Sequence, residues 1–224
     1  MPGLQPRQPV RALLALLAAV CAALTAGGAQ AHPHVWVTMV TELVYGPDGT
    51  LTAVRHAWTF DDMFSAFATQ GIEAKTKGVF TRAELAPLAQ VNVDSLKEYN
   101  YFTRAKLDGK LHKGAFVDPV DYWLDYDPKA TMLTLNFTLP VKTPLQAKRL
   151  TLEVYDPEFF VDFAFAEQAA VKLTGAPAGC TVATEKPNDG SFPSTLRLDK
   201  SFQTSEANAG MGMQFANRIF VTCP

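Results

Sequence analysis

The alternation of apolar and polar residues predicts a protein built mainly from β-strands. Apolar residues recur at every second position from residue 34 to 40 and again from 51 to 60, and the intervening Gly46-Pro47-Asp48-Gly49 is typical of a turn. This pattern predicts a β-hairpin. Further short strands are predicted at 103–107, 115–117, 122–126, 132–139, 150–155, 161–165 and 214–223.

A helical insertion around residues 61–101 is predicted between the early and late strands. Asp61 or Asp62 can begin a helix, because a short carboxylate accepts hydrogen bonds from the free N–H groups of a first turn. A second helix is predicted from residue 82 to about 101, and the Pro-, Ser-, Asn- and Gly-rich stretch 185–212 is predicted to be a loop. The expected fold class is therefore α+β and β-dominant, with antiparallel, β-sandwich-like sheets.

The N-terminus has the pattern of a cleaved signal peptide. Arg7 and Arg11 precede an apolar run from residue 12 to 26, and Ala29-Gln30-Ala31 matches the small-x-small motif that signal peptidase cleaves. A membrane anchor is the alternative, but the run is shorter than the roughly 20 apolar residues that span a bilayer. We therefore expect residues 1–31 to be removed and residues 32–224 to form one globular β-rich domain in the periplasm.

The expected mature chain is mildly acidic. Without Arg7 and Arg11 it has 18 Lys and Arg against 22 Asp and Glu, a net charge of −4, which argues against a nucleic-acid partner. The sequence has no glycine-rich phosphate loop, no Gly-x-Ser-x-Gly elbow and no His-Glu-x-x-His motif. It therefore indicates no enzyme and no evident small organic substrate.

Two of the three cysteines remain after the expected cleavage. Cys180 and Cys223 would meet an oxidising compartment, where two remaining thiols usually pair. We expect a structural disulfide that ties down the C-terminus. A metal-binding or redox pair is the rival interpretation, but these two cysteines lack the close spacing of such motifs.

Cleavage would create a candidate metal site at the new N-terminus. The free α-amine, the ring of His32 and the ring of His34 would lie within three residues. Residues two apart on an extended chain project to the same side, so both imidazoles can reach one ion. Imidazole suits zinc, nickel and copper, so we expect a divalent transition metal. The alternative is that both histidines are solvated and incidental.

Two acidic residues could complete this site. Asp61 precedes the first predicted helix, and Asp156 precedes the acid- and aromatic-rich stretch that ends at Asp162. Each can be a metal ligand, a support that orients a histidine ring, or simply a helix or turn cap. His56 lies on the apolar face of its strand and is predicted to be a core histidine rather than a ligand.

Residues 73–84 match the residue spacing of an EF-hand calcium loop but lack some of its oxygen ligands. Glu73, Gly78 and Glu84 occupy positions one, six and twelve. Lys75 and Lys77 stand at positions three and five, where calcium needs oxygen ligands. We expect the loop to retain the shape of an EF-hand loop and not to bind calcium.

Several of these motifs together resemble a bacterial family of unknown function. They are AHPHVWV, WTFDDMFS, the EF-like stretch followed by Tyr101-Phe102, and YDPEFFVDF. Members of this family are described as the periplasmic component of an uncharacterised ABC-type transport system, and they often occur beside nickel/cobalt-type permeases. The resemblance implies a role in transition-metal handling that uses His32, His34 and Asp156.

The leading hypothesis is a periplasmic metal-binding accessory protein that works with a membrane metal permease or transporter. His32 and His34 would hold the ion, and Asp61 or Asp156 would complete the shell. One alternative is a redox enzyme in which a histidine brace holds copper. Another is a metal-free adaptor between proteins, whose aromatic side chains form a docking patch.

Overall fold

A computed structural model describes residues 33–187 and 212–224. Most of the elements within these residues are strands, as the alternation predicts, and two α-helices lie between the second and third strands. The strands are β1 Val35–Tyr45, β2 Leu51–Phe60, β3 Thr103–Leu107, β4 Lys110–His112, β5 Val120–Asp127, β6 Met132–Leu145, β7 Arg149–Val154, β8 Val161–Phe165, β9 Val171–Thr174, β10 Thr181–Glu185 and β11 Asn217–Thr222. The α-helices are α1 Asp62–Ala68 and α2 Arg82–Leu96, and 3₁₀ turns cover Lys97–Phe102 and Gly212–Phe215.

The first sheet is built around β1. The strand order is β5-β6-β2-β1-β8, and β9 pairs with β1 beyond the end of β8. β1 and β2 form the predicted antiparallel hairpin, with Val37 opposite Phe60. The sheets are mostly antiparallel, as predicted, and the exceptions are β8 and β9, which both run parallel to β1. β1 therefore has a partner on each side along most of its length.

The second sheet is antiparallel throughout and covers part of the first. Its order is β10-β11-β7-β3-β4. Alternate residues of both sheets are buried, as in Met39, Leu135 and Leu152, so the apolar faces meet in one core. Trp58 lies at the centre of this core, with its ring centroid 4.7 Å from that of Phe137 and 4.9 Å from that of Phe163. The fold is thus β-dominant and sandwich-like, as predicted.

The helical insertion ends in an unusual turn. α2 begins with a capping box, in which Thr81 and Glu84 each satisfy a backbone N–H of the other. The helix ends at Leu96, earlier than predicted, because Asn100, Tyr101 and Phe102 adopt left-handed backbone angles with φ of 51°, 56° and 48°. Left-handed angles cost about 1–2 kcal/mol for each non-glycine residue, so the surrounding structure must hold this turn.

Some strands are not visible in the sequence pattern. β4, β9 and β10 were not predicted, and each is a short strand of three to five residues. The strand predicted at 115–117 is reduced to a single bridge between Phe116 and Val141. The part of the predicted loop from 188 to 211 lies outside the described residues. No helix among the described residues is long and apolar enough to cross a membrane.

The predicted disulfide is confirmed. Cys180 and Cys223 are bonded, with an S–S distance of 2.03 Å. The bond links the residue before β10 to the residue after β11, and these two strands also pair with each other. The C-terminus is thereby fixed to the second sheet.

His56 joins the two sheets through buried hydrogen bonds, which confirms that it is a core histidine. Its Nδ1 lies 3.1 Å from Thr41 Oγ1 and its Nε2 lies 3.2 Å from Thr103 Oγ1. Thr103 donates its only hydroxyl hydrogen to the Tyr101 carbonyl oxygen at 2.8 Å, so it accepts a hydrogen bond from His56 Nε2–H, and Nδ1 accepts one from Thr41. Burial lowers the pKa of the His56 imidazole to about 3, so the ring is neutral near pH 7.

We predict that His56 makes the fold sensitive to acid. The pKa of His56 is lowered from 6.5 to about 3 on folding, so the unfolded chain binds an extra proton as the pH falls below 6.5, and stability is lost. Between pH 7 and pH 4 this linkage removes about 3 kcal/mol from the free energy of unfolding. A His56→Gln variant lacks this linkage. The difference in the free energy of unfolding between the wild type and the variant should therefore narrow by the same amount between pH 7 and pH 4.

Urea unfolding at a series of pH values measures the gap. His112→Gln, which changes an exposed histidine on β4, is the control for the loss of a histidine as such. Parallel pH curves for the wild type and His56→Gln would show that His56 does not carry the acid sensitivity.

Candidate functional site

The sequence-predicted residues that the structure describes converge on the N-terminal end of β1. His34 immediately precedes this strand, Asp61 follows the end of β2 on one side, and Asp156 lies in the turn before β8 on the other side. His32, the other predicted histidine ligand, lies outside the described residues. The described residues thus include one of the two predicted histidines and both predicted acids.

Asp61 caps a helix and also clamps the start of β1. Its Oδ1 accepts a hydrogen bond from the Phe64 backbone N–H at 2.8 Å, and its Oδ2 accepts one from the Trp36 backbone N–H at 2.9 Å. Its own N–H donates to the Trp36 carbonyl oxygen at 2.9 Å. The helix-cap interpretation is confirmed, and the bonds to Trp36 extend the β1–β2 pairing by one residue.

Asp156 is buried and organises the turn between β7 and β8. Its side chain is 3% exposed. Oδ1 accepts a hydrogen bond from the backbone N–H of Glu158 at 2.9 Å, and Oδ2 accepts two, from Phe160 at 2.9 Å and Val161 at 3.0 Å. Three N–H groups compensate a buried carboxylate that would otherwise be costly. The turn-cap interpretation of Asp156 is therefore confirmed.

The turn that Asp156 holds is the surface against which His34 lies. The backbone N–H of His34 donates to the Phe160 carbonyl oxygen at 2.9 Å. The ring centroids of His34 and Phe160 are 4.8 Å apart. The His34 side chain is exposed, so the histidine is anchored through its backbone and through one face of its ring.

The two acids differ in their remaining capacity to bind an ion. A carboxylate has about four lone-pair sites. Asp61 uses two of them and is partly exposed, whereas Asp156 uses three and is buried. Among the described residues, which exclude His32, no three His, Cys, Asp or Glu side chains are grouped as a metal site. Asp61 thus keeps more capacity than Asp156 to accept a further contact.

Asp162 has a different environment. It lies beside Trp36 in the parallel β1–β8 register. Burial raises the pKa of its half-buried carboxyl, and the carboxyl makes no hydrogen bond or ion pair to another described residue. The ionised form of Asp162 is thus disfavoured.

The EF-like loop is closed by its own glutamate. Glu84, at the twelfth position, accepts hydrogen bonds from the backbone N–H of Lys75 at 2.9 Å and from the backbone N–H of Thr81 at 2.8 Å. These hydrogen bonds lower the pKa of Glu84 to about 2. The Glu84 carboxylate therefore accepts backbone hydrogen bonds at the position where the glutamate of an EF-hand would bind calcium.

The end of the sheet that bears His34 is apolar and acidic. Four large apolar side chains are exposed there, two of them on one face of α1. The three segments that meet there, 33–37, 58–68 and 156–165, contain five acidic residues and no Lys or Arg. An exposed apolar patch rimmed by charges of one sign is a feature of contact surfaces. The exposed side chains are those of Trp36, Met63, Phe67 and Phe160.

A cavity that the sequence does not reveal opens at the same end. It has a volume of about 340 Å³ and lies between the inner face of the first sheet, the C-terminal half of α2 and the left-handed turn. We call it the aromatic cavity. Its aromatic lining includes Trp58, Phe60, Phe64, Phe102, Phe160 and Phe163.

We predict that Asp156 is a structural necessity and Asp162 is not. Asp156→Asn removes the charge and replaces one acceptor oxygen by an NH₂ group that faces backbone donors, so it lowers the free energy of unfolding by about 2–4 kcal/mol. Asp162→Asn, six residues along the same segment, changes stability by less than about 1 kcal/mol, because that carboxylate accepts no backbone hydrogen bond. Urea unfolding of both variants at pH 7 measures the difference, and equal effects would contradict the assignment.

Comparison with known proteins places the chain in a family. Residues 17–223 match a family described as a protein of unknown function, DUF1007. An uncharacterized protein of Haemophilus influenzae is 25% identical over 201 residues, which cover 88% of this chain and 93% of that protein. The match extends from the N-terminal apolar run through β11. The chain therefore belongs to the DUF1007 family, whose function is unknown.

Proposed function

We propose that this protein is a periplasmic accessory protein that binds a divalent transition metal and works with a membrane metal permease. The metal is zinc, nickel or copper. In this proposal His32 and His34 are the primary ligands, together with the α-amine that cleavage after Ala31 would free. Asp61 completes the shell, and Asp156 supports the turn that anchors His34.

The observation that carries the proposal is the anchoring of His34 at the start of β1. Its backbone N–H bonds to Phe160 at 2.9 Å and its ring contacts the Phe160 ring, yet its side chain is exposed. Ordering a side chain from a frayed terminus costs conformational entropy when a ligand binds. An anchored His34 reduces that cost, which favours a ligand over an incidental histidine.

The donor set supports a transition metal rather than calcium. Two imidazoles two residues apart, with an adjacent amine, supply nitrogen ligands, which zinc, nickel and copper prefer. Asp61 retains lone pairs on both oxygens and lies one residue beyond the last residue of β2, beside Trp36. Carboxylates in such positions either bind the ion or orient a histidine ring.

The exposed apolar side chains support a protein partner. Met63 and Phe67 are 71% and 67% exposed, one helical turn apart on α1. They lie at the same end of the first sheet as His34, so a partner that covers them would also be close to the ion. The resemblance to proteins found beside nickel/cobalt-type permeases suggests the kind of partner. The same exposure favours a second candidate function, a metal-free adaptor.

We predict that the metal depends on both N-terminal histidines. Protein purified from the periplasm without a tag, with His32 verified as the N-terminus by mass spectrometry, should carry one equivalent of zinc, nickel or copper. In the double variant His32→Ala with His34→Ala, the affinity should fall by at least about a hundredfold, because two nitrogen ligands are lost. Elemental analysis and competition titration measure both quantities.

Two control variants distinguish the loss of a specific metal site from the loss of any histidine. His112→Ala removes an exposed histidine from β4 and should leave the affinity unchanged. Asp61→Asn should weaken binding without abolishing it. An unchanged affinity in the double variant would exclude the N-terminal site. A protein that binds no metal with an intact His32 terminus would leave the adaptor as the better proposal.

A further inference from the structure

The aromatic cavity is too large to be a packing defect. Protein cores pack nearly as densely as organic crystals, and an engineered cavity of about 150 Å³ already binds benzene. The aromatic cavity measures about 340 Å³, which falls in the range of small-molecule sites. Its volume therefore suits a ligand of modest size.

Two walls of the cavity come from turns with unusual backbone features. Phe102 reaches the cavity from the left-handed turn, whose conformation is costly. Phe160 reaches it from the turn organised by Asp156. Strained and heavily hydrogen-bonded segments that converge on one space are typical of preorganised sites.

The charged residues that line the cavity, within the described part of the chain, are both acidic. They are Asp156 and Glu158, and this described lining contains no Lys, Arg or His. Asp156 already accepts three backbone hydrogen bonds. Glu158 is exposed and forms no ion pair with another described residue. Its carboxylate is therefore available to a ligand.

Aromatic walls beside a free carboxylate fit a cation. The faces of aromatic rings carry negative electrostatic potential and attract ammonium groups within about 6 Å, which is how aromatic cages recognise quaternary amines. An anion would be repelled by Glu158. A neutral molecule would contact the walls but gain nothing from the carboxylate.

We infer that the aromatic cavity binds a small organic cation, an amine or quaternary ammonium with an aromatic or branched aliphatic body. The body occupies the space between Trp58, Phe64 and Phe102, and the cationic group lies towards Glu158. This inference does not rest on the metal site, since none of the carrying residues is His32, His34 or Asp61.

The test compares three ligands of similar shape and different charge. Benzyltrimethylammonium is the cation, neopentylbenzene is its neutral isostere, and phenylacetate is the anion. Binding is followed by NMR on the methyl groups of Val35, Leu96 and Val161, which line the cavity. All titrations contain EDTA, so that the result is independent of the metal. We expect the cation to bind about tenfold more tightly than neopentylbenzene and phenylacetate not to bind.

Variants locate the site. Glu158→Gln should weaken binding of the cation by about three- to tenfold and leave neopentylbenzene unaffected. Ser95→Trp fills the cavity from the exposed side of α2 and should abolish binding of both. Val91→Trp is the matched control, because it adds the same side chain at a position on the same helix that is 64% exposed and does not line the cavity.

Three results would overturn the inference. Equal affinity for the cation and neopentylbenzene would make the cavity a simple apolar site. An undiminished affinity for the cation in Glu158→Gln would remove the role of the carboxylate. The absence of shifts with any of the three ligands would leave the cavity without a small-molecule function. Because Glu158 is exposed, its variant should fold even if Ser95→Trp does not.

Discussion

A buried chain of hydrogen bonds from Thr41 through His56 and Thr103 to the Tyr101 carbonyl oxygen connects the two sheets to the left-handed turn. Each step depends on the one before it, because Thr103 has a single hydroxyl hydrogen and His56 must remain neutral to accept from Thr41. These hydrogen bonds link β1 and β2 of the first sheet to β3 of the second sheet. They also satisfy the carbonyl of one of the three left-handed residues, which helps to offset the cost of that turn. The position of Phe102, and with it one wall of the aromatic cavity, follows from this arrangement.

The N-terminal end of β1 depends on a different interaction, the pairing of carboxylates with backbone N–H groups. Asp61 bonds to the strand from the β2 side, and Asp156 shapes the turn that bonds to it from the β8 side. Charge-assisted hydrogen bonds of this kind are about twice as strong as neutral ones. The start of β1 is therefore held from both sides, as far as His34. A ligand that contacts His34 would therefore meet a residue whose backbone is already anchored.

The sequence predicts those parts of the fold that local patterns determine. The β1–β2 hairpin follows from the alternation and from Gly46-Pro47-Asp48-Gly49, and the disulfide follows from the two cysteines left after cleavage. The parallel pairing of β8 and β9 with β1 has no local signal, because it joins residues more than 100 positions apart. The left-handed turn has none either, since Asn100, Tyr101 and Phe102 contain no glycine. The turn is held instead by contacts distant in sequence, such as the hydrogen bond from the Tyr155 backbone N–H to the Phe102 carbonyl oxygen.

The candidate site shows the same division. The sequence identifies the acids near His34 as caps or ligands, and the structure confirms that they are caps. The caps were predictable because their backbone partners lie within five residues along the chain. The aromatic cavity could not be identified, because its walls come from β1, β2, β6, β8, α1, α2 and two turns. Phe160 belongs to both regions, since it contacts the ring of His34 and also lines the cavity. If a ligand in the cavity displaces Phe160, the anchoring of His34 must change with it. The coupling would be reciprocal, so that an ion at His34 would alter the affinity of the cavity by the same factor. In that case the two proposed sites would be linked through one side chain, Phe160.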